Sequence, residues 1–319
     1  MRRAWQSTMI GLARSPRVKR WVQNTRATST IATRYVAGET ARSGVARAAS
    51  LLASPGIRSS LFYLGEYVDT PGLVGENVEA KIEVAGLLGN TGMDVHISVD
   101  PTQVGQTLDP AMARRNVFSI AEAIARSSNN RPGVHALMLD MEDASVTDAT
   151  IKLHDDVHAA KLPVALTLQA YRRRTQDDLR PQIRRGSKVR LVKGAFAAGP
   201  DLAFPRQSEI KENSRRLIDM MLSREARDAG FYPIIATHDD RLHAYTIERA
   251  RGNGWQAGEY EFEMLLGVRG DVSHALAKSG ERVRLYVPFG RDWWPHAVRR
   301  IGENPRNGWL LARSLVGNA

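Results

Sequence analysis

The sequence predicts an α/β protein, a distorted eight-stranded β/α barrel with a helical arm before it and a C-terminal helix over its mouth. Three observations carry this reading. From residue 61 onward, eight short apolar runs alternate with stretches of helical character. Polar groups recur where those runs end. The 319 residues, 43% hydrophobic and 25% charged, suffice for one barrel of roughly 250 residues plus an extension. Eight parallel strands close on themselves in the TIM-like manner, and the chemistry of such barrels collects at the C-terminal strand ends. An open doubly wound sheet would gather its polar groups at a switch point instead.

Residues 1–60 are Ala-rich and read as an N-terminal helical basic arm packed on the barrel, which occupies residues 61–319. The eight runs cover residues 61–67, 95–99, 136–141, 163–168, 189–193, 233–236, 260–266 and 283–287. Several lack polar alternation, as strands covered on both faces do. Glu66, Asp100, Asp140, Gln169, Arg190 with Lys193, Thr237 with His238, and Glu263 stand within or just beyond them. Between the runs, Asp109-Pro110 opens a helix over residues 111–125, because Asp caps free N–H groups and Pro tolerates the first helical position. Residues 208–224 carry another. The segment from Gly86 to Gly92 neither follows a strand in a dinucleotide-binding unit nor matches G-x-G-x-x-G, and reads as a helix stop and turn.

The formal charge of +11 raises nucleic acid as a partner, but its distribution argues against that. The first acidic residue is Glu39, preceded by Arg2, Arg3, Arg14, Arg17, Lys19, Arg20, Arg26 and Arg34. Much of the excess therefore sits in one arm, a solvated basic face in the plain reading and a contact to an anionic membrane or an acidic protein in the specific one. No run of 18 apolar residues and no signal-peptide core occurs, so the expected location is the cytoplasm, with peripheral contact at the inner face of the membrane left open. The absence of cysteine excludes disulfides, thiolate metal sites and thiol nucleophiles. The eight histidines lack metal-ligand spacing. Asp140-Met141-Glu142-Asp143 offers oxygen ligands, yet a strand end followed by a helix N-terminus accounts for it equally, and no metal is expected.

Paired arginines are common here, at 2–3, 114–115, 172–174, 184–185, 215–216 and 299–300. The last pair differs in its setting, after the eighth run and the aromatic segment from Phe289 to Trp294, where a helix can lean over the barrel mouth. Guanidinium forks there suit a carboxylate, and Glu303 is four residues beyond Arg299, within reach of it on a helix. A solvated basic face explains the pair equally well on the residues alone.

Taken in order, several segments resemble the flavin-dependent proline dehydrogenase family. They are Leu64-Gly65-Glu66, Asp140-Met141-Glu142-Asp143, Leu168-Gln169-Ala170-Tyr171, Arg190 to Ala195, Ala236-Thr237-His238, Glu261 to Gly267, Tyr286 to Gly290 and Arg299 to Asn304. The resemblance implies a distorted β/α barrel that binds FAD noncovalently at its mouth, takes two electrons from proline to give pyrroline-5-carboxylate, and passes them to a quinone or other acceptor. By motif it places Arg190 near the flavin N5 and Gln169 on the ring system, with Asp140, Lys193, Gly194, Ala195, Phe196, Thr237, His238 and Glu263 on the cofactor side. Leu265, Tyr286 and His296 correspond to substrate-side positions, Arg299 and Arg300 to the carboxylate clamp, and Glu303 to the gating partner of Arg299. A cation beside the flavin is chemically apt, since reduction builds negative charge on the ring.

Three positions depart from the family pattern. Asp100 stands where the second strand usually ends in a lysine, Phe196 where a tyrosine follows Gly194-Ala195, and His296 where a tyrosine precedes the arginine pair. An anion in place of a cation near a bound carboxylate opposes binding by about 2 kcal/mol at a partly screened site. The resulting expectation is FAD-dependent oxidation of L-proline. The alternatives are the same chemistry on a proline analogue or carrier-bound prolyl group, and a non-catalytic barrel that binds an acidic partner.

Overall fold

The computed structural model describes residues 34–65, 68–293 and 296. Eight parallel strands form a closed barrel in sequence order. They are β1 (Arg58–Tyr63), β2 (His96–Val99), β3 (Ala136–Leu139), β4 (Val164–Gln169), β5 (Lys188–Val192), β6 (Tyr232–Ala236), β7 (Glu261–Leu265) and β8 (Val283–Phe289). β8 returns to pair with β1 from Arg58↔Arg284 to Tyr63↔Phe289, leaving no open edge. All eight runs read from the sequence are strands. The first lies earlier than expected, spanning Arg58–Tyr63, so it crosses the boundary drawn at residue 60.

The helices named here are α1 (Ala41–Ala53), α2 (Pro71–Gly89), α3 (Pro110–Ser128), α4 (Thr147–Ala159), α5 (Thr175–Arg184), α6 (Gln207–Met221), α7 (Arg224–Asp228), α8 (Asp240–Gly252) and α9 (Gly270–Lys278). α1, within the expected basic arm, buries Ala41, Ala48 and Leu51 against the barrel. α3 starts as its sequence dictates, with the Asp109 carboxylate accepting from the Ala111 N–H and Pro110 in the first turn. The Gly-rich segment divides: Gly86 and Gly89 complete α2, and the turn follows, with Gly92 at φ 75°. The helix expected over 208–224 is α6, which ends at Met221; the separate short α7 then begins at Arg224, capped by Ser223.

Outward strand residues pack with the helices in one large cluster, including Leu61, Ile97, Val99, Leu137, Leu166, Leu191, Ile235 and Phe262. Inward residues alternate with them. Ala136, Met138, Ala165 and Ile234 form a small separate apolar cluster. Phe62 packs on the Tyr286 ring, and most of the other inward residues are polar. His96 Nδ1 lies 2.9 Å from Ser60 Oγ, Ser60 Oγ lies 2.9 Å from Ser98 Oγ, and Arg190 Nη1 donates to Ser98 at 3.4 Å. This chain of contacts leads along the barrel axis to the C-terminal mouth.

Candidate active site

Arg190 is the middle residue of β5, so period-two alternation turns it into the barrel, where it is 4% exposed. A guanidinium at that depth requires acceptors on every side. Nη1 donates to Glu263 Oε1 of β7 at 2.6 Å. Nη2 donates to Asp140 Oδ1 at the end of β3, and Nε and Nη2 both reach Thr167 Oγ1 of β4, at 3.1 and 2.9 Å. The Tyr286 hydroxyl on β8 donates to the other Asp140 oxygen at 2.9 Å, and its ring lies 5.6 Å from the Arg190 guanidinium carbon. Four strands thus fix one cation between two carboxylates. Burial pushes the Glu263 carboxyl up, while Arg190 works to keep it ionised.

Around this centre lie further strand-end residues expected from the sequence. The Gln169 amide donates to the Met141 and Glu142 carbonyls at 2.9 and 3.2 Å, leaving its buried Oε1 without a partner among the described residues. Glu263 Oε2 is in the same state. His238 Nε2 accepts from the Leu265 N–H at 3.1 Å, which places the proton of the neutral ring on Nδ1 and ties the ends of β6 and β7 together. Thr237 Oγ1 accepts from the Asp239 N–H at 3.1 Å. Gly194 has φ 94°, and a Cβ there would collide with the Tyr171 ring, so both conformation and space require glycine. Lys193 and Ala195 are exposed, and Phe196 is 43% exposed, a large apolar side chain facing outward. Leu265, Tyr286 and His296 are half-buried. Glu66, Arg299, Arg300, Glu303 and the helix expected over the mouth lie outside the described residues, apart from Trp293 and His296.

Sequence reasoning gave several contributors no role at this site. Thr167 and Ser98 hold Arg190, and their signal was a polar residue at the inward phase of an apolar strand. Glu142 accepts from the Thr102 N–H and hydroxyl at 2.9 and 2.8 Å, joining the ends of β2 and β3. Burial, then the nearby Asp100 charge, push its carboxyl up to about 7 against those two bonds. Lys81 is fully buried in α2, and its signal was a lysine on the stripe of Val74, Val78, Ala85 and Leu88. Among the described residues, no group of three or more His, Asp or Glu side chains is arranged to hold a metal ion, and no helix is long and apolar enough to cross a membrane.

The proline dehydrogenase family profile matches residues 45–309, which include every strand of the barrel. The chain belongs to the proline dehydrogenase family. It is 32% identical over 294 residues to a proline dehydrogenase of Deinococcus radiodurans, covering 90% of each chain. It is also 30% identical over 258 residues to proline dehydrogenase 2 of Bacillus subtilis, covering 80% of this chain and 81% of that one. Among solved structures, proline utilization A of Bdellovibrio bacteriovorus superposes with a TM-score of 0.77 at 18% identity, over 92% of this chain. The chain spans 34% of the length of that protein. The likeness shows the barrel to be that of the family, and the proline dehydrogenase membership makes the chain an oxidoreductase.

Proposed function

We propose that this proline dehydrogenase family member oxidises L-proline to 1-pyrroline-5-carboxylate with FAD held at the C-terminal mouth of the barrel. The observation that carries the proposal is the buried Arg190, fixed between Asp140 and Glu263 among polar groups at the C-terminal strand ends. The residues present fit a flavin. Gln169 Oε1 and Glu263 Oε2 are buried acceptors without partners among the described residues, and a flavin ring carries N–H donors beside its acceptor atoms. The residues that would hold it are Asp140, Gln169, Arg190, Lys193, Gly194, Ala195, Phe196, Thr237, His238 and Glu263. When bound, FAD would accept the hydride leaving the ring carbon beside the substrate nitrogen, and a quinone or similar acceptor would then take the two electrons.

The chain's own residues supply position and charge. Arg190 provides a fixed cation shielded from water, where charge that builds during reduction is stabilised most. Asp140 and Glu263 hold its plane, and Tyr286 fixes Asp140 in turn. Leu265, Tyr286 and His296 offer walls to a five-membered ring, and Arg299 and Arg300 are assigned to the carboxylate with Glu303 as the partner of Arg299. A substrate whose amine arrives neutral can release hydride from the ring carbon beside it without a strong general base, because the nitrogen lone pair forms the C=N bond as the C–H bond breaks. The reading goes with a cytoplasmic enzyme whose basic arm is a solvated face or a contact to the inner membrane surface or an acidic protein. The test is direct: FAD-loaded protein is yellow, and anaerobic L-proline bleaches it. Protein that stays colourless after flavin addition contradicts the proposal. A second reading, a proline derivative as substrate, is favoured by the acidic residues Asp100 and Glu142 at the mouth.

A further inference from the structure

At the end of the barrel opposite the mouth, the chain folds around a cavity of about 260 Å³. It lies between α1, the end of α2, the first residues of β1 and the turns that lead into β2, β3 and β8. Small-molecule sites begin near about 300 Å³, so the space suits a ligand of a few heavy atoms.

One wall is charged, formed by Arg58, Asp94 and Arg282. Asp94 is already shared: Oδ2 accepts from Arg284 at 2.8 Å and lies 3.5 Å from Arg58 Nε, while Oδ1 accepts from the Val134 N–H at 3.1 Å. Arg282 donates to the neutral Tyr232 hydroxyl at 3.2 Å and forms no ion pair among the described residues. A third cation stands close by, since a Cβ on the lining residue Gly92 would lie 3.6 Å from Arg131 Nη1. Arg131 donates only to the Ser127 and Ser128 carbonyls among the described residues. Ser59, also in the lining, has a buried hydroxyl without a partner among the described residues. Three guanidinium groups thus surround one carboxylate that Arg284 and a backbone N–H already occupy. Fixed positive charge in a partly enclosed space attracts an anion strongly, because water screens it poorly there.

The opposite wall is apolar, formed by Ala48 and Leu52 of α1, Leu88 of α2 and Met93. Leu52 is 36% exposed, although its neighbour Leu51 is packed in the core. An inorganic anion would leave this wall against water, whereas a carboxylate with a short hydrocarbon body covers it and offers its oxygens to the arginines. The chain's own first 33 residues are a poor match in charge, since they hold several arginines and no acidic side chain.

We propose that this cavity binds a small aliphatic carboxylate, gripped by Arg58 and Arg282 with its hydrocarbon body against Leu52, Leu88 and Met93. The site is separate from the Arg190 centre and does not depend on the oxidation reading.

The test is calorimetric titration of the full chain with sodium butyrate at constant ionic strength, beside butyramide and sodium phosphate. Butyrate is expected to bind, with butyramide at least about tenfold weaker because it cannot make the charge-assisted contacts, and phosphate weaker because it leaves the apolar wall wet. Arg282→Met should weaken butyrate binding about tenfold and Leu52→Ser about threefold, while flavin reduction by L-proline stays that of wild type in both. Leu52 is exposed, so its variant reads the cavity even if the arginine substitution unfolds the chain. Butyrate binding that is absent, or equal in wild type and Leu52→Ser, overturns the proposal; the second result places the ligand elsewhere, the mouth included. Phosphate or butyramide binding as tightly as butyrate overturns it as well. Failure of the flavin to be reduced by proline bears on the oxidation reading alone, since the titration needs no turnover.

Discussion

Two arginines sit inside this barrel, each between two carboxylates, and they have opposite surroundings. Arg284, on β8 near the N-terminal end, is fully buried and bonded to Glu261 at 2.7 and 3.1 Å, to Asp94 at 2.8 Å and to the Ser59 carbonyl at 2.9 Å. Burial works against the Asp94 charge, yet the Arg284 guanidinium holds that carboxyl below its usual range. Arg190, one layer nearer the mouth, is nearly as buried, but Glu263 Oε2 and Gln169 Oε1 beside it are left without partners among the described residues. The same chemical unit is closed at one end and open at the other. In a β/α barrel the end opposite the mouth serves stability and the mouth serves chemistry, and the difference in hydrogen-bond closure expresses that division within one interior.

The comparison can be broken by exchanging each arginine. Arg284→Met leaves Glu261 in the closed layer without its guanidinium and Asp94 with Arg58 as its remaining cation, and should cost about 3–5 kcal/mol in urea unfolding, with turnover per folded molecule little changed. Arg190→Met should lower the flavin-reduction rate at least about 100-fold, a loss typical of a fixed charge at a reacting group. Its stability cost should be smaller than that of Arg284→Met, because Glu263, already pushed up by burial, takes a proton instead. Thr167→Val removes one acceptor shared by two Arg190 nitrogens and should cost about 1 kcal/mol, measured the same way.

Titration sharpens the picture of the mouth. Glu142, raised to about 7, binds its proton more tightly folded than unfolded, so its contribution to stability falls as pH rises from about 4.5 to 7. Lys81, lowered to about 7, loses its proton more readily when folded, so stability rises with pH from about 7 to 10.5. Glu142→Gln should flatten the first slope and Lys81→Met the second, each by at most about 1.4 kcal/mol per pH unit, in unfolding free energies measured across pH. The smallest effect belongs to the exposed surface: Lys152→Ala, which breaks a pair with Asp156, should change stability by less than about 0.5 kcal/mol.

Much of the barrel was legible because β/α repetition writes itself as apolar runs at regular spacing. The first strand was misplaced because Arg58, Ser59 and Ser60 are polar, and Ser60 belongs to the interior chain of hydroxyls. Strand-end positions marked the mouth, so Asp140, Gln169, Arg190 and Glu263 were visible in sequence. Their partners were not, because Thr167 and Ser98 meet Arg190 across strands 23 and 92 residues away. Lys81 looked like an ordinary helix lysine until the burial of its stripe was known. Asp100 stood out both as a strand-end polar residue and as a departure from a family pattern.

The central claim, that the open arginine centre carries the chemistry and the closed one the fold, is tested most directly by anaerobic flavin bleaching with L-proline in Arg190→Met and Arg284→Met, normalised to folded, FAD-loaded protein. The account predicts a loss of about 100-fold or more in the first and less than about threefold in the second. Equal losses in the two variants would contradict it.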